Sequence, residues 1–199
     1  IDQAVAYSRL QDVIITTFGD LIRVPGSTSS LNIEKSNGAD VRIVYSILDA
    51  LKIAKENPSK KVIFLGIGFE ATASSTAAGV YNAYKENLRN FFVFSSHKIM
   101  PPAMSALIDE GIKINGYIAP GHVSAITGSH IYDKFPQKYN VGCVISGFEP
   151  VDILQSVYML IRQSNEEKYS VEIQYKRAVN SEGNIKAKKL MDDVFTLRD

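Results

Sequence analysis

Hydrophobic residues follow two alternating spacings along this chain. Between segments of helical period lie six short runs rich in Val, Ile and Phe, which are typical of strands. These runs cover Asp12–Thr16, Val41–Tyr45, Val62–Ile67, Phe91–Ser95, Gly116–Ala119 and Cys143–Ser146. Strands that alternate with helices build βα units, so the pattern predicts an α/β fold with mostly parallel sheets.

Helix boundaries are marked by local signals between these runs. Ser46 and Asp49 form a capping box, and Asn57-Pro58 ends the helix that follows. Four more helices are expected, over Ala71–Glu86, from Pro101-Pro102, from Pro150, and over Asn184–Phe195.

Two of these helices have apolar stripes of the kind that turns towards a core. After Pro150 the stripe consists of Val151, Leu154, Val157, Tyr158 and Ile161. In the last helix we expect four side chains to face inward: Leu190, Met191, Val194 and Phe195.

A weak internal duplication predicts two similar α/β lobes, residues 1–98 and 99–199, that face each other across a cleft. Each half offers one Glu and one His just after a strand. The order of the two residues is swapped between the halves, which argues against a true repeat. The boundary is expected between residues 99 and 115.

Three acidic tips follow strands and predict a ligand site. The tripeptide Gly-Phe-Glu occurs twice and ends at Glu70 and Glu149, while Phe-Gly-Asp ends at Asp20. Open α/β sheets bind their ligands at the carboxyl ends of strands, and carboxylates gathered there cost solvation energy. A single Glu in such a place is more often a first-turn residue that complements a helix dipole.

Other candidate groups have ordinary structural explanations beside the functional ones. His97 and His122 follow strands and could bind metal or shuttle protons, although a lone loop histidine is more often solvated or a cap. Pro120 and Gly121 fix the backbone before His122, which makes it the better candidate. Arg23 and the serine-rich turn with Ser27 could hold an anion, or form an ordinary Pro-Gly turn.

Composition excludes several classes of function. The 199 residues have a formal net charge of +1 without a basic stripe, which argues against nucleic-acid binding. No apolar stretch is long enough for a membrane span, so a soluble cytoplasmic protein is expected. Cys143 is the single cysteine and cannot alone build a disulfide, zinc or iron–sulfur site. The first residue, Ile1, already lies in a predicted helix, so we expect an excerpt of a longer protein.

Several motifs together resemble the HypD family, maturation factors of nickel–iron hydrogenases. The resemblance covers nearly the whole chain in one order. Its segments are Thr17–Asp20, Arg23–Ser27, Asp40–Ser46, Gly68–Glu70, Ser96–Lys98, Pro101–Met104, Pro120–Ser124, Gly147–Pro150, and Tyr175 with Arg177–Val179.

The resemblance implies a scaffold that assembles an Fe(CN)2CO unit. In this family a HypC-like small chaperone shares the iron, HypE delivers cyanide transiently, and the hydrogenase large subunit receives the product. The full-length family adds a third domain with a 4Fe-4S cluster. Its cysteine motifs lie outside this chain, so no metal ligand is expected here.

The resemblance also ranks the site residues. Asp20 and His122 match the family's functional acid and histidine, and we expect them to act as hydrogen-bond or proton partners near the iron ligands. Glu70, His97 and Glu149 are expected to line the cleft. Arg23 and Ser27 are assigned from charge alone to an anionic ligand such as cyanide.

Two other classes of function remain open. One is a small-molecule transferase that uses the same acids and histidines without iron or a partner. The other is a docking module whose apolar segment Ile99–Pro102 binds a HypC-like protein. The sequence favours a metal-centre assembly factor but leaves open whether the chain is an enzyme.

Overall fold

Parallel strands form both sheets of the structure, a computed structural model that describes residues 1–197. The chain divides into two units, each with its own sheet. Unit 1 contains Ile1–Gly68, Ser75–His97 and, within the described residues, 194–197. Unit 2 contains Phe69–Ser74 and Lys98–Asp193. The expected α/β class with two parallel sheets is confirmed.

The sheet of unit 1 has four parallel strands in the order β2-β1-β3-β4. The strands are β1 (Val13–Thr17), β2 (Val41–Ile43), β3 (Lys61–Gly68) and β4 (Phe91–His97). All five residues of β1 are buried. The middle of a sheet covered on both faces favours apolar residues, which fits the apolar runs Val13–Ile15 in β1 and Val62–Leu65 in β3.

Helices cover both faces of this sheet. They are α1 (Asp2–Ser8), α2 (Leu31–Ser36), α3 (Ile47–Glu56) and α4 (Glu70–Lys85), whose first turn belongs to unit 2. Residues of α1 and α2 pack with Val13, Ile15 and Leu65, whereas α3 packs with Phe64 on the other face. The capping box is confirmed, because Ser46 and Asp49 exchange side-chain-to-backbone hydrogen bonds of 3.4 and 3.0 Å.

Unit 2 has a parallel sheet of three strands in the order β5-β6-β7. They are β5 (Gly116–Pro120), β6 (Gly142–Ser146) and β7 (Val171–Ile173). The helices of this part are α5 (Met100–Asp109), α6 (Gly121–Thr127), α7 (Pro150–Glu166) and α8 (Ile185–Val194). Strand β7 was not predicted, although apolar and polar residues alternate from Val171 to Tyr175 as in a half-buried strand.

The apolar stripe of α7 is exposed, contrary to the expectation that it faces a core. Exposed fractions reach 72% at Val151, 70% at Leu154 and 66% at Tyr158. The helix turns its polar side to the sheet instead, and Asp152, Ser156 and Gln163 are buried. The four side chains expected to face inward are half-buried; three lie in α8, and Phe195 follows its last residue.

Glycines explain this inverted orientation of α7. A Cβ at Gly116 would lie 2.9 Å from the Leu160 side chain, and one at Gly142 would overlap the Gln163 amide. The helix therefore approaches the strand backbones closely: Leu160 packs against both glycines, and the small side chain of Ser156 is fully buried. No helix within residues 1–197 is long and apolar enough to span a membrane.

Opposite responses to substitution are expected on the two sides of α7. Leu154→Ser should change the free energy of unfolding by less than about 0.5 kcal/mol, because the side chain is already in water. Ser156→Leu should cost roughly 1–3 kcal/mol, because a fully buried position has no room for the extra atoms. Urea unfolding of both variants measures this. A costly Leu154→Ser would show that the stripe is buried after all.

Candidate functional site

Two candidate residues lie at the carboxyl edge of the unit 1 sheet. Asp20 follows β1 and starts the one-turn 3-10 helix Leu21–Arg23, while His97 ends β4. Strand β3 separates β1 from β4 in the sheet. Asp20 is exposed and its carboxylate does not cap the helix that it starts. The side chain is therefore available to other groups.

The His97 ring lies in a notch in the sheet. A Cβ at Gly66 would be 2.7 Å from the ring Cε1, so this close approach requires glycine. Nδ1 lies 3.1 Å from the Ser95 hydroxyl and Nε2 lies 3.4 Å from the Thr76 hydroxyl. Burial lowers the pKa of His97, and the imidazole is neutral at pH 7.

We expect His97 to make unit 1 sensitive to acid. Its pKa is lowered from 6.5 in the folded state, so the unfolded chain takes up the proton first. The stability is therefore complete above about pH 6.5 and falls as the pH drops below that value. His97→Phe retains a ring and should flatten the decrease in Tm between about pH 8 and pH 5.5.

His130 provides the control of opposite sign. Asp133 and Glu182 raise the pKa of His130, so its contribution is present below about pH 6.5 and is lost as the pH rises through the raised pKa. His130→Phe should therefore remove stability only at the acidic end. An unchanged acid response in His97→Phe would refute the assignment to His97.

The serine-rich turn before α2 already holds a carboxylate of the chain itself. Ser27 donates hydrogen bonds from its backbone N–H and its hydroxyl to Asp2, both at 2.7 Å. These bonds lower the pKa of Asp2. A Cβ at Gly26 would overlap the Asp2 carboxylate, so a larger residue there would displace Asp2 from Ser27. Arg23 is exposed, and binding of an external anion by Arg23 and Ser27 stays a prediction.

Glu70 is the one buried carboxylate among the candidate residues and stands where two helices begin. It is the first residue of α4, and its Oε1 accepts the backbone N–H of Met100, the first residue of α5, at 2.9 Å. The positive ends of both helix dipoles therefore favour its charge. Only 7% of the residue is exposed, and Oε2 is buried without a hydrogen-bond partner among the described residues.

A buried tyrosine lies within the field of this carboxylate. Tyr132 is fully buried, and its hydroxyl is 3.3 Å from the Ser124 hydroxyl. Burial, with a smaller effect of the Glu70 charge, raises the pKa of Tyr132 to about 12. Ser124 also donates to the carbonyl of Pro120, the residue from which α6 starts. Polar groups thus extend from Tyr132 to the strand end that precedes His122.

Adjacent strand ends in unit 2 bring His122 and the second Gly-Phe-Glu together. Pro120 pairs with Ser146 in the register of β5 and β6, so the residues that follow are neighbours. The His122 ring packs at a tilt against the Phe148 ring, with centroids 5.2 Å apart and an angle of 38°. Both side chains are exposed. The imidazole therefore has one covered face and access to solvent.

An ion-pair cluster that sequence reasoning missed supports this edge. Arg177 forms a bidentate pair with Asp152, at 3.1 and 2.6 Å, and its guanidinium also lies 3.2 Å from Glu149. Gln174 donates a third hydrogen bond to Asp152 at 2.9 Å. Hydrogen bonds from Arg177 and Gln174 lower the pKa of Asp152, whose side chain is 4% exposed.

This cluster ties the segment after β7 to the start of α7, and its Arg177 also pairs with the exposed Glu149. The guanidinium of Arg177 lies over the Tyr175 ring, 4.6 Å from its centroid. A Cβ at Gly147 would be 2.8 Å from that ring, so the first residue of Gly-Phe-Glu must be glycine. One signal was present in the sequence: an Asp in the first turn after Glu149 and Pro150.

The assembled groups are suited to hydrogen bonding and proton transfer. Unit 1 brings Asp20 and His97 to one sheet edge, and unit 2 brings His122 and Glu149 to another. Glu70 lies buried in unit 2, at a helix junction. Within residues 1–197 no three His, Cys, Asp or Glu side chains cluster as a metal ion would require. The catalytic or binding role of each candidate stays a prediction.

Known proteins similar to this chain are hydrogenase maturation factors. Residues 1–199 match the profile of HypD, described as the hydrogenase formation hypA family. The chain is 44% identical over 207 residues to hydrogenase maturation factor HypD2 of Bradyrhizobium diazoefficiens, and covers 54% of that protein. Identity is 43% to HypD of Rhodobacter capsulatus, with 53% of it covered.

A third relative extends the comparison to another organism. HypD of Escherichia coli is 42% identical over 196 residues, which cover 98% of this chain and 52% of the relative. The chain thus spans about half the length of the curated relatives that it matches. The match to the family extends from the first residue to the last, and this chain therefore belongs to the HypD family.

Proposed function

We propose that this chain acts in hydrogenase maturation, as part of a scaffold on which an Fe(CN)2CO unit is assembled. The observation that carries the proposal is the family match over all 199 residues, together with the strand-end groups that the family motifs supply. Asp20 and His122 stand exposed at the ends of β1 and β5 and serve as hydrogen-bond or proton partners of the bound ligands.

Iron is the cargo of this assembly, and the residues of this chain do not fit it as ligands. Cyanide- and carbonyl-bearing iron is held best by thiolate. Cys143 is fully buried in β6, and burial raises the pKa of its thiol to about 12. We assign the thiolates, and the 4Fe-4S cluster of the family, to polypeptide outside this span. The chain's own part is to position and protonate.

The partners of the proposal follow from the family. They are a HypC-like chaperone that shares the iron, HypE as a transient cyanide donor, and the hydrogenase large subunit as the final acceptor. A cytoplasmic location suits this exchange with soluble partners. Glu149, paired with Arg177, and the neutral His97 are assigned to supporting contacts at the two sheet edges.

Infrared spectroscopy of the full-length protein tests the proposal. The protein is purified without oxygen together with its HypC-like partner, and bands of iron-bound cyanide and carbon monoxide are expected. Absence of iron and of these bands, in a preparation from cells that make active hydrogenase, would refute the scaffold. Turnover of a small molecule by the 199-residue chain alone would instead support a transferase that uses the same acids and histidines.

A further inference from the structure

One of the sheet edges lacks the features that normally protect an edge strand. An edge strand has alternate backbone N–H and C=O groups without partners, and proteins shield such edges with short strands, charges or proline. Strands β2 and β7 have three residues each and carry Arg42 and Glu172. Strand β5 ends in Pro120.

Strand β4 has none of this protection. It is seven residues long, with the sequence Phe-Phe-Val-Phe-Ser-Ser-His, and contains neither proline nor a lysine, arginine or carboxylate. Its only neighbour among the described strands is β3. Phe92 is 45% exposed, and Ser95 and Ser96 are exposed as well. The outer row of backbone groups therefore has no partner strand among the described residues.

A groove reaches this strand near its first residues. It measures about 450 Å³ and is lined by Phe92 of β4 and by residues of α1, β1, β3 and the loop after α1: Tyr7, Leu10, Gln11, Val13, Lys61 and Ile63. Leu10 is 55% exposed, and the Tyr7 ring packs edge-on against Phe94 at 5.6 Å. Exposed apolar surface of this kind marks a site that binds another segment.

The chemistry of the edge defines what binds there. A row of backbone donors and acceptors is satisfied by an extended strand, and the groove selects an apolar side chain at one of the strand's alternate positions. The HypD relatives have almost as much polypeptide outside the matched span as within it. We propose that a β-strand from that part of the polypeptide adds to the free edge of β4 and places an apolar side chain in the groove.

Hydrogen exchange at single-residue resolution tests this proposal. In an edge strand of a parallel sheet, only alternate amides bond to the neighbouring strand. The 199-residue chain should therefore show alternating protection along residues 91–97. In the full-length protein all these amides should be protected, with the outward ones slowed by about a hundredfold or more. An alternating pattern in the full-length protein would overturn the proposal.

A pair of variants identifies what covers the edge. Phe92→Lys in the full-length protein should restore exchange at the outward amides by at least about tenfold. Tyr84→Lys, at a position of α4 that is 83% exposed, should leave the pattern unchanged. The exchange rates of both variants are compared with those of the wild-type full-length protein.

Two further results would assign the edge to a different occupant and overturn the proposal. If the 199-residue chain elutes as a dimer with uniform protection of β4, and Phe92→Lys makes it monomeric, the occupant is a second copy. If the full-length protein gains protection only when the HypC-like protein is added, the occupant is that partner.

Discussion

Replacement of Asp20 or His122 by alanine in the full-length protein is expected to abolish hydrogenase maturation. Both side chains are exposed at strand ends, Asp20 does not cap its helix, and His122 contacts the exposed Phe148 ring. Neither substitution removes a buried contact, so a loss of function would not follow from unfolding. Hydrogenase activity in a strain that depends on the variant measures the effect.

Matched substitutions separate this function from general surface effects. Asp193→Ala and His130→Ala change an exposed aspartate in α8 and an exposed histidine outside the candidate site. Both should retain maturation, and at pH 8, where protonated His130 contributes least, their Tm values should be close to that of the wild type. Full maturation in Asp20→Ala and His122→Ala would refute the site assignment and leave the family membership intact.

Gly128→Ala is expected to cause the largest loss of stability, roughly 3–5 kcal/mol. Gly128 ends α6 with φ of +82°, a left-handed conformation that is costly for alanine. In addition, a Cβ there would overlap the backbone oxygen of Ser181 and lie 2.8 Å from the carbonyl carbon of Glu182. Backbone atoms cannot move aside as a flexible side chain can, so the segment around 181–183 must separate from α6.

Gly111→Ala isolates the part of this cost that comes from backbone conformation. Gly111 has φ of +86°, almost the same as Gly128, but nothing lies within 4 Å of the position of a Cβ. It should lose only about 1 kcal/mol. Chemical unfolding of both variants measures the difference, which is the cost of the close approach. Equal losses would show that the approach to Ser181 and Glu182 contributes nothing.

Strand and helix positions were predictable because each rests on local sequence. The six predicted strands, the capping box and the proline-initiated helices depend on residues close together in the chain. Strand-end placement of Asp20, His97, His122 and Glu149 followed from the same local patterns. Strand β7 was missed although its apolar and polar residues alternate.

Contacts between distant segments were not predictable from pattern. The orientation of α7 depends on glycines in β5 and β6, some 20 to 40 residues earlier in the chain, and periodicity within the helix cannot report them. The pair formed by Asp152 and Arg177 joins residues 25 apart, and the bonds from Ser27 to Asp2 also join residues 25 apart. The apolar stripe of α7 and the serine-rich turn were therefore recognised in the sequence, but the groups that surround them in the structure were not.

The notch that holds His97 restricts which residues can occur together at positions 66 and 97 in the family. Gly66 lies on β3 and His97 ends β4, and the ring takes the space where a side chain at Gly66 would be. A lineage that keeps the imidazole cannot gain a larger residue at Gly66, whereas a lineage that loses the imidazole is released from that constraint. Across HypD sequences the two positions should therefore co-vary, and glycine should be lost only after histidine.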